Sequence, residues 1–332
     1  MRAWWLAIGL CGFSLVAPVR AQAPDDALAN LWTTLCLGAA PGSDLAQRLG
    51  GKGLDLYRNQ QGAVARIMLQ VEALLPLAQI GKKEASGSIA WFDPAFFPQF
   101  ELSYFEPAFW QQQGLVTGHS SGRNTVWFVQ QQGKQAVLRH YYRGGLVGKL
   151  NKDKFWPEPA AQSRAMAEFS LLWQMRLWGL PVPRPCAALY QQHGFSYSAD
   201  ILIERIPGTT DLAHLLQQRP LTDTEWQQLG AVIASFHQHQ VYHSDLNCHN
   251  ILLDQQGQFW LIDFDKCAIR TAADFPDQSW KTQNLQRLLR SLNKEKQQLP
   301  VFHWQQDQFA ALELGYQQAG QIHINQNIQS TN

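Results

Sequence analysis

The chain carries almost no net charge: 27 lysines and arginines stand against 26 acidic residues in 332, a formal +1. That balance does not suggest nucleic acid, so any electrostatic targeting has to come from local patches. No C-x-x-C pair occurs, and the five cysteines (Cys11, Cys36, Cys186, Cys248 and Cys267) are odd in number. Neither a disulfide framework nor a zinc knuckle is signalled, which fits a reducing compartment. No internal repeat is visible. A spanning helix needs about 20 apolar residues, and the N-terminal run from Ala3 to Ala17 is too short and too broken by glycines. What remains is a globular chain. Hydrophobic residues make up 45%, enough for a sizeable core, and the length suits one large domain or two small ones. The 13 Trp and 17 Phe are many for this length. They fit an aromatic core first, and a surface that touches lipid second.

The N-terminus points elsewhere when taken alone. Arg2, the apolar run and Ala21-Gln22-Ala23 form a signal-peptide-like pattern with an A-x-A cleavage site. The next methionine is Met68, and nothing recognisable lies between Pro24 and Met68.

From about residue 85 the pattern becomes regular. Ala85-Ser86-Gly87-Ser88 reads as a linker or the start of a domain, and Phe105 to Gln113 as a short helix. Asn124–Gln130 and Gln135–Tyr142 are rich in β-formers and joined by Gln131-Gln132-Gly133-Lys134, a hairpin signal. Ser163 can cap a helix to about Trp178, with Phe169, Leu172, Trp173 and Leu177 at helical spacing, and Gly179 and Pro181 end it. Ile201-Leu202-Ile203 is a strand before the turn Pro207-Gly208. Thr222 and Glu225 form a capping box, followed by Trp226, Leu229, Val232, Ile233 and Phe236 on one helical face. Two short apolar runs, 251–253 and 259–262, flank the turn 254–257. Another helix covers Trp280 to Lys294, and the tail after Gly320 reads as loose. Strands first and helices second predict a two-lobed α+β fold.

The chemistry concentrates in His243-Ser244-Asp245-Leu246-Asn247-Cys248-His249-Asn250 and Ile262-Asp263-Phe264-Asp265. Phosphoryl transfer asks for positioning, a group beside the attacking hydroxyl, and cations on the phosphates. Asp245, in a loop after a helix, can accept the acceptor's proton. Asn250, five residues on, can hold a second magnesium, and Asp263, thirteen residues further at a strand end, can hold the magnesium that bridges the phosphates. The intervening hairpin brings Asn250 and Asp263 side by side. This follows the protein-kinase pattern H-x-D-x-x-x-x-N … D-F-x. Upstream, Gly118-His119-Ser120-Ser121-Gly122-Arg123 is a glycine loop whose N–H groups, at Gly118 and Gly122, can approach phosphates. On the next strand Arg139 stands where protein kinases carry a lysine, and Glu168 is its candidate partner. Lys149 is a second candidate cation. Residues 139–154 are basic and glycine-rich, either a solvated loop or an edge that meets an anionic acceptor or lipid. Among His237, His239, His243 and His249, a metal site competes with simpler roles: His243 as organiser of the loop, His237 and His239 at a helix end where the dipole favours charge.

H-S-D-L-N-C-H-N, L-I-D-F-D-K-C, L-R-H-Y-Y-R-G-G-L-V-G-K-L-N-K-D and G-L-P-V-P-R-P together resemble the 3-deoxy-D-manno-octulosonic acid (Kdo) kinases, lipopolysaccharide-core kinases with a protein-kinase-like fold. The resemblance covers about residues 88 to 320. It implies ATP and Mg2+ as cofactors, transfer to the 4-hydroxyl of Kdo on lipid IVA, and a peripheral enzyme on the cytoplasmic face of the inner membrane. It matches Asp245 to the active-site aspartate. Arg139 in place of lysine departs from protein kinases. Asp265 in place of the D-F-G glycine argues against a flipping activation segment, and the lack of A-P-E argues against a protein substrate. The expected organisation is an extension over 1–87, an N-lobe over 88–206, a C-lobe over 207–320 and a flexible tail over 321–332. Because a kinase needs ATP, the signal-like N-terminus is expected to be an early start, a fused segment or an anchor with the kinase on the cytoplasmic side. Two alternatives stay open: a kinase for another sugar or small alcohol such as heptose or an aminoglycoside, and a non-catalytic nucleotide-binding scaffold.

Overall fold

The computed structural model describes residues 80–121, 125–142, 153–271 and 275–329, with side chains as far as 321. The signal-like stretch and Met68 lie outside the described residues, as do Gly122, Lys149 and most of the basic stretch, 143–152. Among the described residues no helix is long and apolar enough to cross a membrane.

The first lobe is built on a seven-stranded antiparallel sheet. Its strands are β1 (Gly81–Ala85), β2 (Ser88–Phe92), β3 (Val116–Ser121), β4 (Thr125–Gln131), β5 (Lys134–His140), β6 (Pro185–His193) and β7 (Ser196–Glu204). They lie in the order β1-β2-β6-β7-β5-β4-β3. Strand alternation sorts the residues by face. Ala136, Leu138, Ala187, Leu189 and Leu202 join a buried cluster with Phe96, Phe97, Phe100, Tyr104, Phe105 and Trp110. Those six aromatics come from the segment after β2 and from helix α1 (Pro107–Gln112). Phe92 stacks on Phe100 with ring centroids 4.4 Å apart, and the Trp110 indole N–H donates to the Tyr104 carbonyl at 2.7 Å. Much of the aromatic load is thus core.

Two expectations for this lobe change. The segment 85–88 is not a linker: Ser86 (φ 46) and Gly87 (φ 78) form the turn of a hairpin in which β1 pairs with β2, so the sheet begins at Gly81, before the expected boundary at 88. Positive φ at two successive turn residues is the twist that two-residue hairpins require. Nor is Gly118 in a loop. It lies within β3, opposite Phe128 of β4, and only the turn between these strands falls outside the described residues.

Helix α2 (Arg164–Leu177) follows. Ser163 precedes it with extended backbone, but its hydroxyl donates to the Ala160 carbonyl at 2.6 Å and caps nothing. Phe169 and Leu172 are buried, whereas Leu177 is 51% exposed. Leu171, Leu172 and Met175 enter the core of the second lobe, so this helix belongs to both lobes.

The second lobe begins beyond Pro207. It contains β8 (Thr210–Asp211), α3 (Leu212–Gln218), α4 (Asp223–Gln238), β9 (Val241–Tyr242), β10 (Ile251–Leu253), β11 (Phe259–Leu261), β12 (Ala268–Ile269), α5 (Ser279–Gln298) and α6 (Phe309–Gln329). Thr222 and Glu225 cap α4 reciprocally. The sequence from Gly320 to Gln329, expected to be loose, continues α6.

Helices α4 and α6 cross at two glycines. A Cβ on Gly230 would lie 2.0 Å from the Leu312 carbonyl oxygen, and one on Gly315 would lie 2.0 Å from that of Gln227. Neither neighbour can rotate away, because each is backbone. Gly230→Ala is therefore expected to cost about 3 kcal/mol, the upper end for overpacking. Gly320→Ala, on the partner helix α6 with open space around it, should instead gain up to about 1 kcal/mol from helix propensity. Urea unfolding of both variants checks the pair. Equal midpoints would show that the crossing is looser than drawn.

Candidate active site

The hairpin β10–β11 holds the site's two loops at its ends. Ile251 is paired with Leu261, and beyond that pair the Ile262 N–H donates to the Asn250 carbonyl at 3.0 Å. Asn250 and the Ile262–Asp263 step are thus neighbours through backbone alone. Asp263 has φ 64, a left-handed conformation that is rare for a residue with a side chain. Such strain persists only where the surroundings hold it, and here they do from two directions.

The first is His243, which is buried. Its Nε2 lies 3.0 Å from the Ile262 carbonyl oxygen, and its Nδ1 accepts the Asp245 N–H at 3.1 Å. That pair of bonds assigns the ring proton to Nε2. Burial holds its pKa below the usual value, so the ring stays neutral and ties the aspartate loop to the Asp263 loop. Phe264 packs against it at 4.8 Å.

The second is Arg139. Strand alternation on β5 turns Leu138 into the aromatic core and Arg139 to the opposite face, in register with Ile201. There its guanidinium lies 2.5 Å from Glu168 and 2.5 Å from Asp263. Tyr141 donates to the same Glu168 oxygen at 2.5 Å. Burial works against the charge of Arg139, but Glu168, Tyr141 and Asp263 raise its pKa well above the ordinary value. Burial also pushes the Glu168 carboxyl up, against the pull of Arg139. Arg139 Nε and Glu168 Oε1 are buried without a partner, the kind of left-over polar atom that asks for an explanation.

Arg164 stands one turn before Glu168 on the same face of α2. It grips both carboxylate oxygens of Asp265 and donates to the Tyr142 carbonyl. Arg164 was not anticipated from sequence. It explains what Asp265 does in place of a glycine: the residue after Phe264 is a tether.

Asp245 is half exposed. Its backbone carbonyl accepts the side-chain N–H of Asn250 at 2.9 Å, which leaves the amide oxygen of Asn250 for other use. That oxygen and the Asp263 carboxylate, which is 40% exposed, form the oxygen-only donor set that a hard divalent cation prefers. Among the described residues no cluster of three or more His, Cys, Asp or Glu could hold a metal, so the four histidines do not make one there.

One face of α5 lines the aspartate loop. Asn284 pairs with the His243 backbone, accepting its N–H at 3.2 Å and donating to its carbonyl at 2.9 Å. Arg287 donates to Asp245 Oδ1 at 2.5 Å, Ser291 bonds the Cys248 N–H at 3.2 Å, and Glu295 meets His249 at 3.2 Å. None of these four was predicted. Only Asn284 left a trace, as a polar residue in the apolar stripe Trp280, Leu288, Leu292.

His237 is not the helix-end charge that its position suggested. It is buried between the Tyr316 hydroxyl at 2.8 Å and Asn284 Oδ1 at 3.4 Å. Burial lowers its pKa to about 4 from 6.5. Below pH 6.5 the unfolded chain takes a proton that the fold refuses, so this residue's contribution is complete above 6.5 and shrinks as pH falls toward 4. At pH 5 the loss is about 2 kcal/mol. His237→Gln is expected to flatten the fall in unfolding midpoint between pH 7 and pH 5, and an unchanged slope would refute the assignment.

A sheet-based lobe, a helical lobe, a glutamate-paired cation on a central strand, and an aspartate loop joined by a hairpin to a second aspartate define a phosphotransferase of the protein-kinase-like class. Residues 107–316 match the lipopolysaccharide kinase (Kdo/WaaP) family. A 3-deoxy-D-manno-octulosonic acid kinase of Vibrio cholerae is 44% identical over 222 residues, which is 67% of this chain and 92% of the relative. Those of Vibrio vulnificus, at 46% over 226 residues (68% and 93%), and of Haemophilus influenzae, at 44% over 235 (68% and 94%), are similar. A solved complex of WbdD with a kinase inhibitor aligns at 15% identity over 62% of this chain and 45% of that one, with a TM-score of 0.36. The chain belongs to the lipopolysaccharide kinase (Kdo/WaaP) family, and it is an ATP-using phosphotransferase.

Proposed function

We propose that the chain transfers the γ-phosphoryl group of ATP to the 4-hydroxyl of Kdo in Kdo–lipid IVA, with Mg2+. The observation that carries this reading is the joining of Asp245, Asn250, Asp263, Arg139 and Glu168 through a few hydrogen bonds and ion pairs. The acceptor's oxygen bonds to the γ-phosphorus, the bond from phosphorus to the bridging oxygen breaks, ADP leaves, and the acceptor's proton passes to Asp245. Arg139 offers its charge and its unpartnered Nε to the phosphates. Asn250 and Asp263 would hold Mg2+, whose charge offsets that developing on the phosphates. Asp265, fixed by Arg164, tethers the loop two residues after Asp263.

The acceptor is taken from the relatives, which are named as Kdo kinases. An acceptor anchored in lipid suits an enzyme lying on the cytoplasmic face of the inner membrane. Phe195, 92% exposed at the β6–β7 turn, and Trp156, 77% exposed, suit such a face. Trp156 follows Phe155, which bridges to Tyr197 of β7, two residues beyond Phe195.

The test is transfer from labelled ATP, with and without Mg2+, to Kdo–lipid IVA, heptose and an aminoglycoside, with the phosphorylated position read by NMR. Label on the 4-hydroxyl of Kdo alone is expected. Label on heptose or the aminoglycoside in preference to Kdo, or full transfer in chelator, would overturn the corresponding part.

A further inference from the structure

Arg287 raises a question that the transfer reaction does not answer. Its guanidinium donates to Asp245 Oδ1 at 2.5 Å, the carboxylate that should receive the acceptor's proton. While that bond lasts, the arginine and the acceptor hydroxyl compete for the same group. A residue that only obstructed its neighbour would be an odd fixture, so the guanidinium needs a second partner to move to when the acceptor arrives.

Three observations indicate that partner. Arg287 is 46% exposed and Asp245 51%, so the pair lies open to whatever enters beside the aspartate. Arg287 belongs to the row Asn284, Arg287, Ser291, Glu295 on α5, whose other members bond the aspartate loop at His243, Cys248 and His249. That row lies along the loop, whereas the cation paired with Asp263 is Arg139 of the other lobe. The nucleotide's charge already has Arg139 and its unpartnered buried Nε. A guanidinium is also suited to a planar anion, which it can meet with two parallel hydrogen bonds.

We propose that Arg287 forms a subsite for a carboxylate on the acceptor sugar. On binding, the acid group takes the guanidinium from Asp245 and frees Oδ1 for the hydroxyl. The acceptor's own charge thereby switches on its own base, and a neutral sugar leaves the base capped. This rests on the reading above that the acceptor is a sugar acid.

The test compares Kdo–lipid IVA with its C1 carboxamide on the wild type, Arg287→Gln and Arg287→Lys, measuring kcat and KM for acceptor and for ATP. The wild type should favour the acid over the amide by about 10–100-fold in kcat/KM, the worth of a charge-assisted hydrogen bond. Arg287→Gln should lose that preference from both sides, through a raised KM for the acid and a raised kcat for the amide, whose base is no longer capped, with KM for ATP and the thermal midpoint unchanged. Arg287→Lys should recover only part of it, because an ammonium cannot make the two parallel bonds. An unchanged acid-to-amide ratio in Arg287→Gln overturns the subsite. So does a defect confined to KM for ATP, which would assign Arg287 to the γ-phosphate. If the wild type phosphorylates neither compound, the function proposed above fails instead, and the wild-type arm alone shows it.

Discussion

Asp245→Ala is expected to cut turnover by about 10²–10⁴-fold, the usual worth of a general acid–base group. The side chain is half exposed, so the fold should not notice. What the variant loses is the acceptor for the hydroxyl's proton, while the Asp245 carbonyl that positions Asn250 is backbone and survives. Asp245→Asn sharpens the experiment by preserving size and removing basicity, and it should fall as far as the alanine. Single-turnover transfer from labelled ATP at saturating acceptor is the measurement. A normal rate in either variant would remove Asp245 from the chemistry.

Arg139→Ala should do damage of two kinds. On the proposed reading it removes the cation offered to the phosphates, and it leaves Glu168, 1% exposed, as an uncompensated buried charge. Removing one member of a buried pair costs about 3–5 kcal/mol, so the variant should unfold far more readily. The two effects come apart in the double variant Arg139→Met with Glu168→Met. An apolar pair restores stability while activity stays lost, because nothing apolar can meet a phosphate. Arg139→Lys is the subtler probe. One ammonium cannot span Glu168 and Asp263 as the fork does, so folding should survive with a raised KM for ATP. Denaturation and nucleotide titration on the three proteins distinguish these outcomes. A stable, active Arg139→Ala would mean that the phosphates are held by another group.

How much of this could be read before the structure depended on how local each signal was. Asp245, Asn250 and Asp263 are spaced by one loop and one hairpin, and short-range spacing survives in a sequence. Arg139 and Glu168 were paired by their places on a strand and the following helix, and they meet at 2.5 Å. Arg287 meets Asp245 across 42 residues. Nothing in the pattern around an exposed helical arginine says which loop will lie beneath it. Arg164 and Asp265 are further apart still, 101 residues; the spacing of Arg164 and Glu168 puts them on one helical face, but only the folded chain shows that this face meets Asp265. The β1–β2 hairpin was missed for the opposite reason. Ser86-Gly87 is a good turn signal, but the flanking Lys82, Lys83 and Glu84 are exposed edge residues without the alternation that marks a strand. The glutamine-rich end of α6 reads as a tail because its composition is polar, yet the helix runs on through it to Gln329.

Helix α2 carries a consequence beyond catalysis. Its first half is fastened to Asp263, by way of Glu168 and Arg139, and directly to Asp265, while its second half sinks Leu172 and Met175 into the second lobe's core. A rod held in this way can turn only if the ion pairs of Arg139 and Arg164 break together. Any control that worked by swinging this helix would therefore dismantle the Asp263 and Asp265 loops at the same moment.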